Sequence, residues 1–138
     1  MAGRRRHQLN GTLVLDADGV SKAAAADRHA QALLHSARNR DARVVVSAAT
    51  LAEVLRGTAR DVPTHRVLSR VTELVVTLEI GRDAGRLLGA TGLVDCTVDA
   101  IVASTALRQP GPVLVVTSDP DDLTLLTAER ADVAIAQL

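Results

Sequence analysis

The acidic residues of this chain fall in clusters. Asp16 and Asp18 stand one residue apart at the end of the aliphatic run TLVL (12–15), and Asp95 and Asp99 are four apart in DCTVD. TSDPDDL (117–123) sets Asp119, Asp121 and Asp122 within four residues, again directly after an aliphatic run. Carboxylates at strand ends do two kinds of phosphate chemistry. A pair can act as nucleophile and proton donor in phosphoryl transfer, or the carboxylates can hold a divalent cation that acts on the phosphate. Crowded carboxylates repel one another, and a hard cation relieves that repulsion. Oxygen donors point to Mg2+ or Mn2+ rather than zinc.

Each acid also has a plainer reading. An Asp after a strand is often a turn residue or a helix N-cap. Asp95 is placed to cap a helix carrying Val98, Ile101, Val102 and Thr105, with Asp95 and Asp99 on the border of that apolar stripe. Like charges at this spacing cost about 0.2–0.5 kcal/mol, although acids in a first turn complement the helix dipole. Glu53 points away from Leu51, Val54, Leu55 and Thr58, so periodicity alone makes it a solvent-facing glutamate. In TSDPDDL, Ser118 can bond locally, Pro120 fixes the turn and Asp122 can cap the last helix, which leaves Asp119 as the better ligand candidate. His7, His29, His35 and His65 have no ligand spacing and read as surface residues. Cys96 reads as a small buried filler.

The elements that must position these acids are legible as five aliphatic runs: TLVLD (12–16), RVVVS (43–47), ELVVTL (73–78), VLVVTS (113–118) and VAIAQL (133–138). Continuous runs of this kind mark strands buried on both faces of a parallel sheet. Helical segments are expected between them: an Ala-rich stretch over 23–38, one capped by Ser47 and ended by Gly57, one over 64–70 after Pro63, one opened by Gly81, and one from Asp95 to before Pro110. The alternation predicts an α/β fold with right-handed crossovers, in which ligands bind beyond the carboxyl ends of the strands. Asp16 and Asp119 sit at two such ends.

Composition narrows the function. Of the 138 residues, 47% are hydrophobic and none is Phe, Tyr or Trp, so the core is aliphatic. Reading single-stranded RNA by stacking bases on aromatic rings is excluded, and any nucleic-acid contact falls to Arg, His, backbone or metal. Net charge is zero, and fifteen of the sixteen basic residues are Arg, Lys22 being the exception. One cysteine allows no internal disulfide, and no apolar run approaches the ~20 residues of a membrane span, as expected of a cytoplasmic protein. The expected organisation is a basic tail over 1–11, where Arg4 to Arg6 could touch phosphate, and one domain over 12–138.

A phosphatase of the haloacid dehalogenase type needs a lysine far downstream of its aspartate pair, and Lys22 stands only four residues after Asp18. That alternative is the weaker one. By contrast, LVLDADGV, SAATLAEVLRG, DCTVDAIVAS and VLVVTSDPDDL, in this order, closely resemble the PIN-domain family, and in particular the VapC ribonuclease toxins of bacterial toxin–antitoxin pairs. The resemblance runs from residue 12 to the end. It implies a three-layer α/β/α fold with a mostly parallel sheet of about five strands, and a metal-dependent endoribonuclease. By motif position it implies Asp16, Glu53, Asp99 and Asp119 as ligands of Mg2+ (or Mn2+), with Asp95 and Asp122 as accessory acids. It also implies an RNA substrate, a cognate antitoxin and a homodimer. One departure stands out: family members carry Ser or Thr two residues after the first Asp, and here that residue is Asp18, which either adds a ligand or overcharges the site. The competing expectation is a PIN-like module that works only through protein contacts.

Overall fold

The computed structural model describes residues 10–138; most of the expected basic tail, with Arg4 to Arg6 and His7, lies outside the described residues. Five strands form one sheet: β1 (Thr12–Leu15), β2 (Arg43–Ser47), β3 (Thr72–Leu74), β4 (Val113–Thr117) and β5 (Val133–Gln137). Their spatial order is β3-β2-β1-β4-β5, and every neighbouring pair is parallel. Seven α-helices surround it: α1 (Ala17–Ala24), α2 (Arg28–Asn39), α3 (Ala48–Val54), α4 (Val62–Leu68), α5 (Leu78–Thr91), α6 (Thr97–Leu107) and α7 (Pro120–Leu126).

The layers follow from the side chains. Val14, Val45 and Val115 point to one face and pack against α5, α6 and α7 through Ala84, Leu87, Val102, Leu123 and Leu126. Leu13, Leu15, Val44, Val46 and Val116 point to the other and pack against α1, α2 and α4 through Val20, Ala23, Leu34 and Leu68. Both faces are covered, which is why the central strands need unbroken aliphatic runs. The result is the expected three-layer α/β/α sandwich, with the sheet entirely parallel. From β1 the chain fills one side of the sheet, then returns to β4 and fills the other. The carboxyl ends of β1 and β4 therefore flank the crevice where strand order reverses, the usual ligand position in open parallel sheets.

Several expectations change. The Ala-rich stretch is two helices, since Ala26 adopts a left-handed conformation (φ 57°) and Asp27 caps α2, accepting from the Ala30 N–H at 3.0 Å. Of ELVVTL only Glu73 and Leu74 join a strand, the edge strand β3 that starts at Thr72. Its partner β2 ends at Ser47, opposite Leu74, so Val75 and Val76 have nothing to pair with and Thr77 caps α5 instead. Helix α5 consequently begins at Leu78, ahead of Gly81. Helix α3 stops at Val54, before Gly57, because Leu55 turns extended and the buried Asp61 carboxylate binds the N–H groups of Arg56 (2.9 Å) and Gly57 (2.7 Å). Helix α4 starts at Val62 with Pro63 in its first turn.

Candidate metal-binding site

Asp16 is fixed first. It leaves β1 extended (φ −83°, ψ −172°) and caps α1, its Oδ1 accepting from the Gly19 N–H at 2.8 Å. The glycine of LVLDADGV does not break the chain; it lies inside α1 and lets that helix press on the sheet. A Cβ at Gly19 would stand 3.0 Å from the Val116 carbonyl oxygen and 3.4 Å from a Leu15 methyl. Asp18, in the first turn of α1, is exposed.

Three other elements bring the remaining acids. Ser47 ends β2 and caps α3 by accepting from the Ala49 N–H at 3.2 Å, and Glu53 lies near the far end of that helix. Glu53 is exposed, as its periodicity predicts, but it lines an open groove shared with Asp95, Cys96 and Asp99. Helix α6 presents Asp99 in its first turn, half-buried. After β4, Asp119 occupies the N-cap position of α7 without using its carboxylate as a cap, while its own N–H donates to Thr117 Oγ1 at 3.1 Å. Asp122, also in the first turn of α7, accepts from the Cys96 thiol at 3.3 Å.

These groups influence one another's protonation. Burial lifts Asp16 to about 6, with Asp18 and Asp99 adding to the rise and the Thr117 side chain and Gly19 N–H opposing it. Burial likewise raises Asp99, followed by repulsion from Asp122, Asp119 and Asp18. Glu53 is raised by burial and then by Asp99 and Asp18, with Arg56 as its one opposing cation. The Asp99 charge acts on Asp16 and Glu53, and the Asp119 and Asp122 charges act on Asp99.

Asp95 does not cap α6. Cys96 holds the N-cap position, with no side-chain cap bond, and Asp95 stands outside the helix in a left-handed conformation (φ 57°), exposed on the groove rim. Asp122 sits inside the first turn of α7 and does not cap it, and the buried Ser118 hydroxyl has no hydrogen-bond partner. Cys96 is no core filler. It is half-exposed, and the bond it donates to Asp122, with burial and the Asp122, Asp99 and Asp95 charges behind it, pushes its thiol up to about 11. The spacing C-x-x-D at a helix start was the available signal for this placement, because it sets residue 96 beside the first turn that carries Asp99. His29, His35 and His65 are exposed and take no part.

Among the described residues, atoms of Cys96, Asp99 and Asp122 lie within 4.8 Å of one another. The two carboxylates of this trio suit a hard divalent cation and the thiol does not. Asp16, Glu53 and Asp99 are raised first by burial and then by acidic neighbours, and bound positive charge would oppose both effects.

Strand order, layers and acids at the switch point define a PIN-like α/β/α fold. Three solved structures share it: VapBC2 from Rickettsia felis bound to a DNA fragment from its promoter (TM-score 0.68, 16% identity, 92% of this chain and 98% of that one); a toxin–antitoxin complex from Klebsiella pneumoniae (0.65, 19%, 88% and 94%); and FitAB bound to the IR36 DNA fragment (0.63, 20%, 91% and 94%). No protein-family model and no curated protein sequence matches the chain. Similarity to this group is thus carried by the fold, at identities where the sequences have largely diverged.

Proposed function

We propose that the protein is a metal-dependent endoribonuclease acting as the toxin of a toxin–antitoxin pair. The observation that supports this is the electrostatic coupling of Asp99 to Asp16, Glu53, Asp119 and Asp122, with Asp16 and Asp119 following the carboxyl ends of β1 and β4. Asp16, Glu53, Asp99 and Asp119 hold Mg2+ or Mn2+, with Asp18 and Asp122 close enough to contribute and Asp95 at the rim. When bound, the cation supplies Lewis acidity to a phosphate oxygen and lowers the pKa of a water for hydrolysis of the phosphodiester bond. The chain's own share is positional. The Gly19 N–H and the α1 cap hold one Asp16 oxygen, and Asp119 keeps its carboxylate free by leaving its helix uncapped. Neither lysine nor histidine is needed as a base.

The likeness to toxin–antitoxin complexes supports an antitoxin as partner, with a basic or amphipathic segment over the acidic groove. The exposed aliphatics Val75, Val76 and Leu78 supply contacts suited to a homodimer. Incubation of the purified protein with a panel of structured RNAs, in Mn2+ or in EDTA, tests the activity. Cleavage with Mn2+ and none with EDTA is expected. Intact RNA under both conditions, from protein that demonstrably binds Mn2+, would leave the protein-contact module as the function.

A further inference from the structure

Among the described residues three arginines are matched: Arg86 pairs with Asp83 and Glu129, Arg108 approaches Asp83, and Arg130 pairs with Asp132, while Arg82 on α5 is not. On the opposite face of the sheet, Arg38, Arg66 and Arg70 line one groove between α2 and α4. Among the described residues none of these three has a carboxylate within ion-pair distance, and residues 1–9 contain no Asp or Glu. In a chain of zero net charge, three exposed and unmatched guanidinium groups around one groove form a local anion site.

The groove is built by packing rather than left by a loop. Gln31 donates to the Ala23 carbonyl at 3.0 Å and ties α2 to the end of α1, while Leu34 and Val67 help to line it. Its position relates it to the acids. It starts at Ala23 and Ala24, where α1 ends, and Asp16 caps the other end of that helix; the six residues from Asp18 to Ala24 at 1.5 Å make this about 9 Å. A stacked strand rising ~3.4 Å per nucleotide covers that distance in about three nucleotides.

We infer that the Arg38–Arg66–Arg70 groove binds the phosphate backbone of the RNA strand a few nucleotides away from the acidic site. This rests on the ribonuclease proposal and adds to it the place where the substrate is held. An acidic site repels a polyanion, so affinity must come from elsewhere, and counterion release at arginines provides it. Guanidinium planes also offer the stacking surfaces that a chain without aromatic residues lacks.

The test reads binding of a twelve-nucleotide single-stranded RNA by the full chain carrying Asp99→Asn, at several salt concentrations in EDTA. Combining Arg38→Gln, Arg66→Gln and Arg70→Gln should weaken binding at least tenfold at low salt. It should also flatten the slope of log K against log salt by about 0.7 for each phosphate no longer neutralised, about 2 in all. Arg82→Gln, at an exposed position of α5, should change neither. If the triple variant does not fold, the single variants carry the test, each flattening the slope by about 0.7. An unchanged slope in folded groove variants overturns the inference, and so does equal flattening by Arg82→Gln. It is also overturned if a glutamate-rich helical peptide binds the groove and the RNA does not displace it, which would make the groove a protein-docking surface. Failure of the wild type to cleave RNA with Mn2+ sinks the nuclease proposal alone, because the binding test needs no catalysis.

Discussion

Asp16 serves two demands that pull against each other. As an N-cap it stabilises α1, and as a buried acid beside Asp18 and Asp99 it resists ionising, which places it near 6 against an ordinary 3.8. The folded state thus binds a proton more tightly than the unfolded chain, so the Asp16 contribution to stability declines as pH rises from about 4 to about 6 and stays low above. Asp16→Asn, which can still accept from the Gly19 N–H, should stabilise the metal-free protein by roughly 2–3 kcal/mol at pH 8 and by little at pH 4. Urea melts at the two pH values measure this, and a mutant less stable at pH 8 would show that the cap bond outweighs the buried charge. Since the ligands must lose their protons to hold a cation, Mn2+ affinity should fall as pH drops through 6. Titration calorimetry at pH 5.5 and 7.5 reads the change, and equal affinities would contradict it. At this scale the sequence was legible where residues do what their position in an element requires. Asp16 and Asp119 follow strand ends and Asp99 stands in a first turn, as their sequence positions imply. For Cys96 the spacing marked its place at the helix start but not its bond to Asp122, twenty-six residues away.

The elements were readable in proportion to their burial. β1, β2 and β4 are covered on both faces and announce themselves as aliphatic runs; the edge strand β3 has one short pairing and is lost in a longer apolar stretch. Helix α6 hides its orientation because Ala100, Val102, Ala103, Ser104, Thr105 and Ala106 are all buried, leaving no polar stripe to mark a face. The break between α1 and α2 was masked by four consecutive alanines, although Asp27 was there to cap. Two glycines separate element propensity from packing. Gly85 is on the exposed side of α5 with nothing within 4 Å of an added Cβ, so Gly85→Ala should raise stability by about 0.5–1 kcal/mol. Gly19→Ala, despite the same helical preference, should lower it by about 1–3 kcal/mol, because the methyl meets the Val116 carbonyl of a central strand. Thermal melts of the pair in EDTA compare them directly, and a stabilised Gly19→Ala would mean that α1 can retreat from the sheet.

At the scale of the whole molecule, zero net charge conceals a separation: carboxylates gather at the switch point of the sheet, and unmatched arginines line the α2–α4 groove. The fold itself does not name a chemistry, and its likeness to toxin–antitoxin structures extends to this chain only through the acids. If the proposed toxin role holds, induction of the wild type alone in bacteria should slow growth, Asp99→Asn should not, and unhindered growth at high wild-type expression would count against the role. The most direct measurement is a set of thermal melts of wild type and Asp99→Asn, each in EDTA and in Mn2+. Without metal, Asp99→Asn should melt at or above the wild type, since Asp99 is raised by burial and by three acidic neighbours. With Mn2+, the wild type should gain stability as RT ln(1 + [L]/Kd), and Asp99→Asn much less. A mutant that melts below the wild type in EDTA, with equal Mn2+ shifts in both proteins, would contradict the metal site and make Asp99 a structural residue at the start of α6.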